Sequence, residues 1–307
     1  MERDAPDAPE RISVLGLGLM GGSLGLALKR AWPESVIAGY DPATSVAERA
    51  RTRGAVDRAY ASVAEALRGA SLVIIAAPTL AAEGLLAEIG AQWGTLAPDA
   101  AITDICSVKR PVVEWARALL PQPARFAGGH PMAGSERAGI DAADASLYAG
   151  ARWVITPAPE TAPDTLTRVE SLARVVGAHP LVMDATAHDE AAAGASHLPL
   201  AVAAALAHAL AEDPSWPLVA TLAAGGYRDT TRIAAGDPIM GRDILLANRE
   251  RVLARLDAFT VALEGLRAAV ASGDGAALEA LLRAASDARR AWTANRERAD
   301  GSADGVL

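Results

Sequence analysis

The chain has 307 residues, 51% of them hydrophobic, and 29 basic against 37 acidic side chains, a formal charge of −8. That much apolar material fills one large domain or two ordinary ones and excludes intrinsic disorder for nearly all of the chain. An acidic balance without any arginine-rich block argues against nucleic acid as a partner. Cys106, the single cysteine, cannot close an intramolecular disulfide, and no Cys/His cluster has zinc-ligand spacing, so no metal is expected. The first ten residues are acidic and polar, unlike a signal or transit peptide. The most apolar run, 198–210, is short for a bilayer and contains His208. A soluble, cytoplasmic protein with no membrane partner is the expectation.

Along the chain, short apolar runs at 11–15, 35–40, 72–77, 101–104, 126–129, 153–156 and 180–183 predict strands. Amphipathic stretches lie between several of them, as at 23–31, where Leu24, Ala27, Leu28 and Ala31 share one helical face. Strands alternating with helices imply βαβ units and a mainly parallel sheet. From Ala185 the texture changes to Ala/Leu-rich helical stretches: about 189–212 with Pro199 as a break, then 244–271, then 276–292 after a Ser-Gly-Asp-Gly turn. The polar residues 300–307 are expected to form a flexible tail. Long alanine-rich helices suit a homodimer formed through this second region, with packing inside one chain as the alternative.

Directly after the first predicted strand comes Gly16-Leu-Gly18-Leu19-Met20-Gly21-Gly22, followed by a helix. A lone GxGxxG is weak evidence, but strand–glycines–helix is the arrangement that seats a dinucleotide. Gly16 permits the tight turn, Gly18 the approach of a pyrophosphate, and Gly21 close helix–strand packing, with the phosphates on the helix N-terminus. Asp41 ends the second strand, 20 residues beyond Gly21. A carboxylate there accepts both ribose hydroxyls and repels a 2′-phosphate, which favours NAD over NADP. Asp41 could instead only open the Asp41-Pro42 turn. Ala77, Pro78 and Thr79, after a later strand, are candidates for lining the adenosine side of the crevice, or form a plain loop. The predicted fold is therefore α/β followed by all-α: a Rossmann-type doubly wound sheet over 9–184 and a helical substrate and dimerisation domain over 185–299.

Three further stretches carry chemistry. Asp104-Ile-Cys-Ser107-Val-Lys109 closes a strand, and Ser107 could cap the next helix. Gly128-Gly129-His130-Pro131 puts a histidine at another strand end, facing the crevice in such a sheet. Gly225-Gly-Tyr-Arg228-Asp-Thr-Thr231-Arg232 offers arginines suited to bidentate carboxylate capture, or to surface ion pairs. His188-Asp189 suggests a metal pair less than capping or packing at the domain junction.

Together with Ser135-Glu136, Ser196-His197-Leu-Pro199 and Asp237-Pro-Ile-Met, these stretches resemble the prephenate/arogenate dehydrogenases of tyrosine biosynthesis, in order across most of 11–250. The resemblance implies NAD-dependent oxidative decarboxylation of prephenate, arogenate or both, in a homodimer. It gives His130 the role of base for the substrate hydroxyl. Ser107 then orients that histidine, the hydroxyl and the nicotinamide, and Arg232 pairs with the substrate carboxylate. His197, Ser135, Glu136, Arg228 and Thr231 fall at cleft-lining positions. Two positions depart from the family pattern: Leu200 where a second histidine is common, and Gly241 where many members have tryptophan. No room for a fused chorismate mutase and no strand pattern for a regulatory ACT domain is seen. A rival hydroxyacid or imine dehydrogenase of similar architecture would rely on a lysine in the helical region, and Lys29 and Lys109 are the only lysines. A non-catalytic NAD sensor would be expected to have lost Ser107, His130 or Arg232, and all three are present.

Overall fold

The computed structural model describes residues 8–135 and 137–303. Its first half alternates β1 (Arg11–Leu15), α1 (Leu19–Ala31), β2 (Val36–Tyr40), α2 (Thr44–Thr52), β3 (Arg58–Tyr60), α3 (Val63–Leu67), β4 (Leu72–Ile75), α4 (Ala81–Ala91), β5 (Ala101–Asp104) and α5 (Arg110–Leu119). Then come β6 (Phe126–Pro131), β7 (Arg152–Pro157), α6 (Pro163–Val175) and β8 (His179–Val182). All eight strands form one sheet in the order β3-β2-β1-β4-β5-β6-β7-β8. Pairing is parallel except between β6 and β7, where His130 lies opposite Val154.

Strands buried on both faces read as unbroken apolar runs, and β4 is buried throughout. Alternate side chains serve two cores. Ile12, Val14, Leu72 and Ile74 pack with Leu24 and Leu28 of α1 and with Val169 and Leu172 of α6. Leu15, Val73, Ile75 and Ile102 pack on the opposite face with Leu86 and Ile89 of α4 and Val112 and Ala116 of α5. The strand order reverses beside β1, between β1 and β4, so a crevice opens at the carboxyl ends of these two strands. Seven of the eight strands lie where the apolar runs predict them. The eighth, β3, is three residues long and contains an arginine, so it carries no such run.

Helices make up the remainder: α7 (Ala185–Ala192), a π turn (Ala193–His197), α8 (Leu198–Ala211), α9 (Trp216–Leu222), α10 (Gly225–Thr231), a 3₁₀ turn (Arg232–Ala235), α11 (Pro238–Ala247), α12 (Arg249–Ser272) and α13 (Gly275–Ala303). The expected break near Pro199 is the π turn, after which Pro199 sits in the first turn of α8, where a missing N–H costs nothing. The run 185–211 as a whole matches a membrane span in length and composition, although 198–210 alone does not. Here it carries His188, Asp189 and His197 into buried positions. The last helix extends beyond 292 to Ala303, where the sequence suggests a flexible tail from 300; residues 304–307 lie outside the described residues.

Two compact units emerge, one through Val252 and one from Leu253 onward, so helices α7–α11 belong with the sheet. Polar side chains tie them there. Asp189 of α7 accepts the backbone N–H groups of Lys109 and Arg110 at 2.7 and 2.9 Å, and Arg251 pairs with Glu190. The second unit holds the rest of α12 and α13, joined through Gly273 at φ +66°, and leaves Val261, Leu263, Val270 and Trp292 exposed.

Candidate active site

The glycine loop occupies the crevice end of β1. Gly16 sits at φ +101°, and a Cβ on it would lie 2.4 Å from the Ala76 carbonyl oxygen of β4's continuation. A Cβ on Gly21 would lie 1.9 Å from the Gly16 carbonyl oxygen, so the helix can start only this close to the strand without side chains. At Gly18 a Cβ would meet nothing within 4 Å. Two of the three glycines thus close the turn, and the middle one faces open space at the N-terminus of α1, where Leu19 and Met20 begin the helix.

Asp41 is half-buried at the end of β2, where its carboxylate accepts the N–H groups of Leu17 and Ala43, both at 2.9 Å. It therefore does open the Asp41-Pro42 turn, and it also pins the glycine loop. An open cleft of about 370 Å³ is lined by Gly16, Gly18, Asp41, Ala77 and Pro78 among others. Thr79 is buried rather than lining the cleft.

Two strands further on, buried polar groups fix the end of β6. Lys109, fully buried, donates its ammonium to Asp104 at the end of β5 and, at 2.6 Å, to the Gly129 carbonyl. Asp104 in turn accepts the Gly129 N–H at 3.1 Å. A Cβ on Gly129 would lie 2.5 Å from the Asp104 carbonyl oxygen, which is why the residues before His130 are glycines. Removing either member of such a buried pair leaves an uncompensated charge, costing about 3–5 kcal/mol. Ser107, between these groups, is half-buried, but it is not the cap of α5. That role belongs to Asp189, some 80 residues later in the chain.

His130 is 8% exposed, with Nδ1 2.8 Å from His188 Nε2, and His188 Nδ1 lies 2.7 Å from Asp189 Oδ1. A carboxylate only accepts, so His188 donates from Nδ1, and in its neutral form it accepts at Nε2. His130 must then donate from Nδ1, which leaves the lone pair on its Nε2. Burial, with His188, Lys109 and His197 adding to it, holds the His130 imidazole well below its usual pKa and hence neutral. At Asp189 burial alone would favour protonation. The His188 bond and the N–H groups of Lys109 and Arg110 outweigh it and keep the carboxyl below its ordinary range. The Cys106 thiol is pushed well above its ordinary value by burial and by Asp104, so it is unreactive.

Beside this cluster, Asn248 donates from Nδ2 to the Asp189 carbonyl at 2.8 Å and to His197 Nδ1 at 3.2 Å. His197 consequently carries its proton on Nε2, which is buried with no partner. Burial brings its pKa down to about 4, the attraction of Asp189 only partly opposing it. The buried donor is available to a ligand.

The other predicted residues are more peripheral. Thr231 is buried and donates to the Tyr227 carbonyl at 2.7 Å, while Arg228 is exposed in an ion pair with its neighbour Asp229. Arg232 is exposed at the end of α10, and α10 and the following 3₁₀ turn pack on α8, which starts directly after His197. Ser135 is exposed and accepts the Arg137 N–H; Glu136 lies outside the described residues. A Cβ on Gly241 would lie 3.7 Å from Leu200, so the two departures from the family pattern face each other. Local sequence signals did not reveal the links of His188, Asp189 and Asn248 to the site. Their partners are 51 to 80 residues away.

Two family models match: "Prephenate dehydrogenase, nucleotide-binding domain" over residues 24–182 and "Prephenate dehydrogenase, dimerization domain" over 184–284. The chain is 37% identical to a prephenate dehydrogenase of Bacillus subtilis over 284 residues, covering 91% of this chain and 75% of that one. To a cyclohexadienyl dehydrogenase of Zymomonas mobilis it is 33% identical, covering 87% and 90%. Among solved structures it resembles the prephenate dehydrogenase of Aquifex aeolicus in complex with hydroxyphenyl propionate and NAD+, with a TM-score of 0.83 at 30% identity over 92% and 97% of the two chains. The arogenate dehydrogenase of Synechocystis superposes with a TM-score of 0.74 at 31% identity, covering 92% and 99%.

Proposed function

Since the chain belongs to the prephenate/arogenate dehydrogenase family, we propose that it oxidises prephenate, arogenate or both with NAD, releasing CO₂, with His130 as the base. The observation that carries this reading is the buried, neutral His130, whose lone pair is confined to Nε2 by the His188 bond.

The glycine loop fits a dinucleotide. Gly16 and Gly21 are closed against backbone, Gly18 leaves space, and the first N–H groups of α1 have no partner within the helix. Gly16, Gly18, Leu19, Met20, Gly21, Ala77 and Pro78 would surround the cofactor, with Ser107 towards its nicotinamide. The Asp41 carboxylate would accept the ribose hydroxyls and disfavour NADP. When bound, NAD supplies the hydride acceptor.

His130 holds the substrate hydroxyl at Nε2 and takes its proton as the carbinol hydrogen departs as hydride. A ring ketone conjugated to the carboxylate-bearing carbon then loses CO₂ readily, because aromaticity is gained. Ser107 helps to orient the hydroxyl, and the unpartnered Nε2–H of His197 is a donor for a substrate oxygen. Arg232 would receive the substrate carboxylate, and the resemblance assigns Ser135, Arg228 and Thr231 to the substrate side of the site. The exposed apolar side chains of α12 and α13 support a homodimer formed through the helical region. A cytoplasmic location belongs to the same proposal.

The variant His130→Asn tests the assignment. NAD affinity should stay within about twofold while kcat falls by about 10² or more. Turnover like that of the unmodified enzyme would remove His130 from the reaction.

A further inference from the structure

His130 poses a difficulty as a base. It lies among Lys109, His188 and His197 with almost no access to water, so a full positive charge on it is penalised. Its neighbour has the opposite surroundings. His188 on α7 is bonded to a carboxylate that itself is fixed by two backbone N–H groups, all within 2.9 Å.

Resting on the reading of His130 as base, we propose that His188 is the residue on which the substrate's proton equivalent comes to rest. As the hydroxyl proton moves to His130 Nε2, the proton on His130 Nδ1 moves across the 2.8 Å hydrogen bond to His188 Nε2. The balance closes. The substrate O–H bond breaks and an N–H bond forms at His130 Nε2. The His130 Nδ1–H bond breaks and an N–H bond forms at His188 Nε2. His130 ends neutral with its proton on the other nitrogen, and the charge sits on His188 against Asp189. No electrons pass along this path; they leave with the hydride.

His188 is bonded to Asp189 on its own helix and to His130 from β6. His197 from the π turn interacts with it electrostatically, and Lys109, which precedes α5, acts on His130. The ammonium of Lys109 is already held by Asp104. Asp189 is thus the carboxylate open to a new cation there, and it is in contact already. His188 is in this sense a positioning and proton-holding residue that acts through His130.

Histidine-ring ¹⁵N NMR on the full chain reads this without turnover, since only five histidines are present. Near neutral pH His130 and His188 should both appear as Nδ1–H tautomers. Wherever the pair holds an extra proton, it should lie on His188, with His130 switched to the Nε2–H tautomer. Double protonation of His130 beside a neutral His188 would overturn the proposal.

His188→Gln supplies the kinetic arm, because a glutamine oxygen can still accept from His130 Nδ1 but cannot hold the proton. Its kcat should fall about 100-fold with KM for both substrates within about threefold. The solvent-isotope inventory should go from two protons in the unmodified enzyme to one. Turnover within threefold of the unmodified enzyme would show that holding the tautomer suffices and sink the proposal. His130→Asn with full turnover would instead sink the base assignment beneath it.

Discussion

The His197 imidazole should make stability strongly dependent on pH between 6.5 and 4. In the folded chain it stays neutral down to about 4, because it is buried with its Nδ1 occupied by Asn248. Once unfolded it takes a proton near 6.5. A folded pKa below the unfolded one means that the unfolded chain binds the extra proton within this window. Stability is therefore complete above 6.5 and is lost as pH falls towards 4. The gap, at ~1.4 kcal/mol per pH unit, amounts to about 3 kcal/mol, of which about 2.5 is already lost at pH 4.5. In His197→Asn the amide oxygen can replace Nδ1 as acceptor for Asn248 and cannot be protonated. Urea unfolding at fixed protein concentration, at pH 7.5 and 4.5, should show the variant losing about 2.5 kcal/mol less than the unmodified chain. Contributions from His130 and the carboxylates cancel in that difference. Equal losses in the two chains would refute the assignment of a buried, neutral His197.

Two further outcomes follow from the ligand side. Arg232→Gln should raise KM for the cyclic substrate about tenfold to a hundredfold with kcat little changed, as when one charge-assisted carboxylate contact is lost; initial rates across substrate concentration decide it, and an unchanged KM would end the carboxylate role. For Asp41, kcat/KM should favour NAD over NADP by about tenfold or more, and Asp41→Asn should narrow that ratio; equal values in the unmodified enzyme would remove Asp41 as the discriminator.

Where an element or role is set by local pattern, the sequence showed it. The β1–glycine–α1 turn was legible because the glycines themselves mark it, although atoms of Ala76 and the Asp41 carboxylate, far along the chain, also constrain it. Strand β3 was hidden because an edge strand of three residues, paired from Ala38↔Arg58, need bury little. Ser107 looked like the cap of α5 because it precedes that helix, yet the cap is a carboxylate arriving from α7. His188 looked like junction packing for the same reason: its meaning lies in the contact with His130, 58 residues away. That same set of long-range bonds helps to hold α7–α11 in one compact unit with the sheet.

The most direct test is NADH formation by the purified protein, given NAD with prephenate and, separately, with arogenate, alongside trapping of released CO₂. The account predicts NADH and CO₂ in equal amounts with at least one of the two, and the ratio of the two kcat/KM values then names the preferred side chain. An enzyme that binds NAD yet forms neither product from either compound would contradict it.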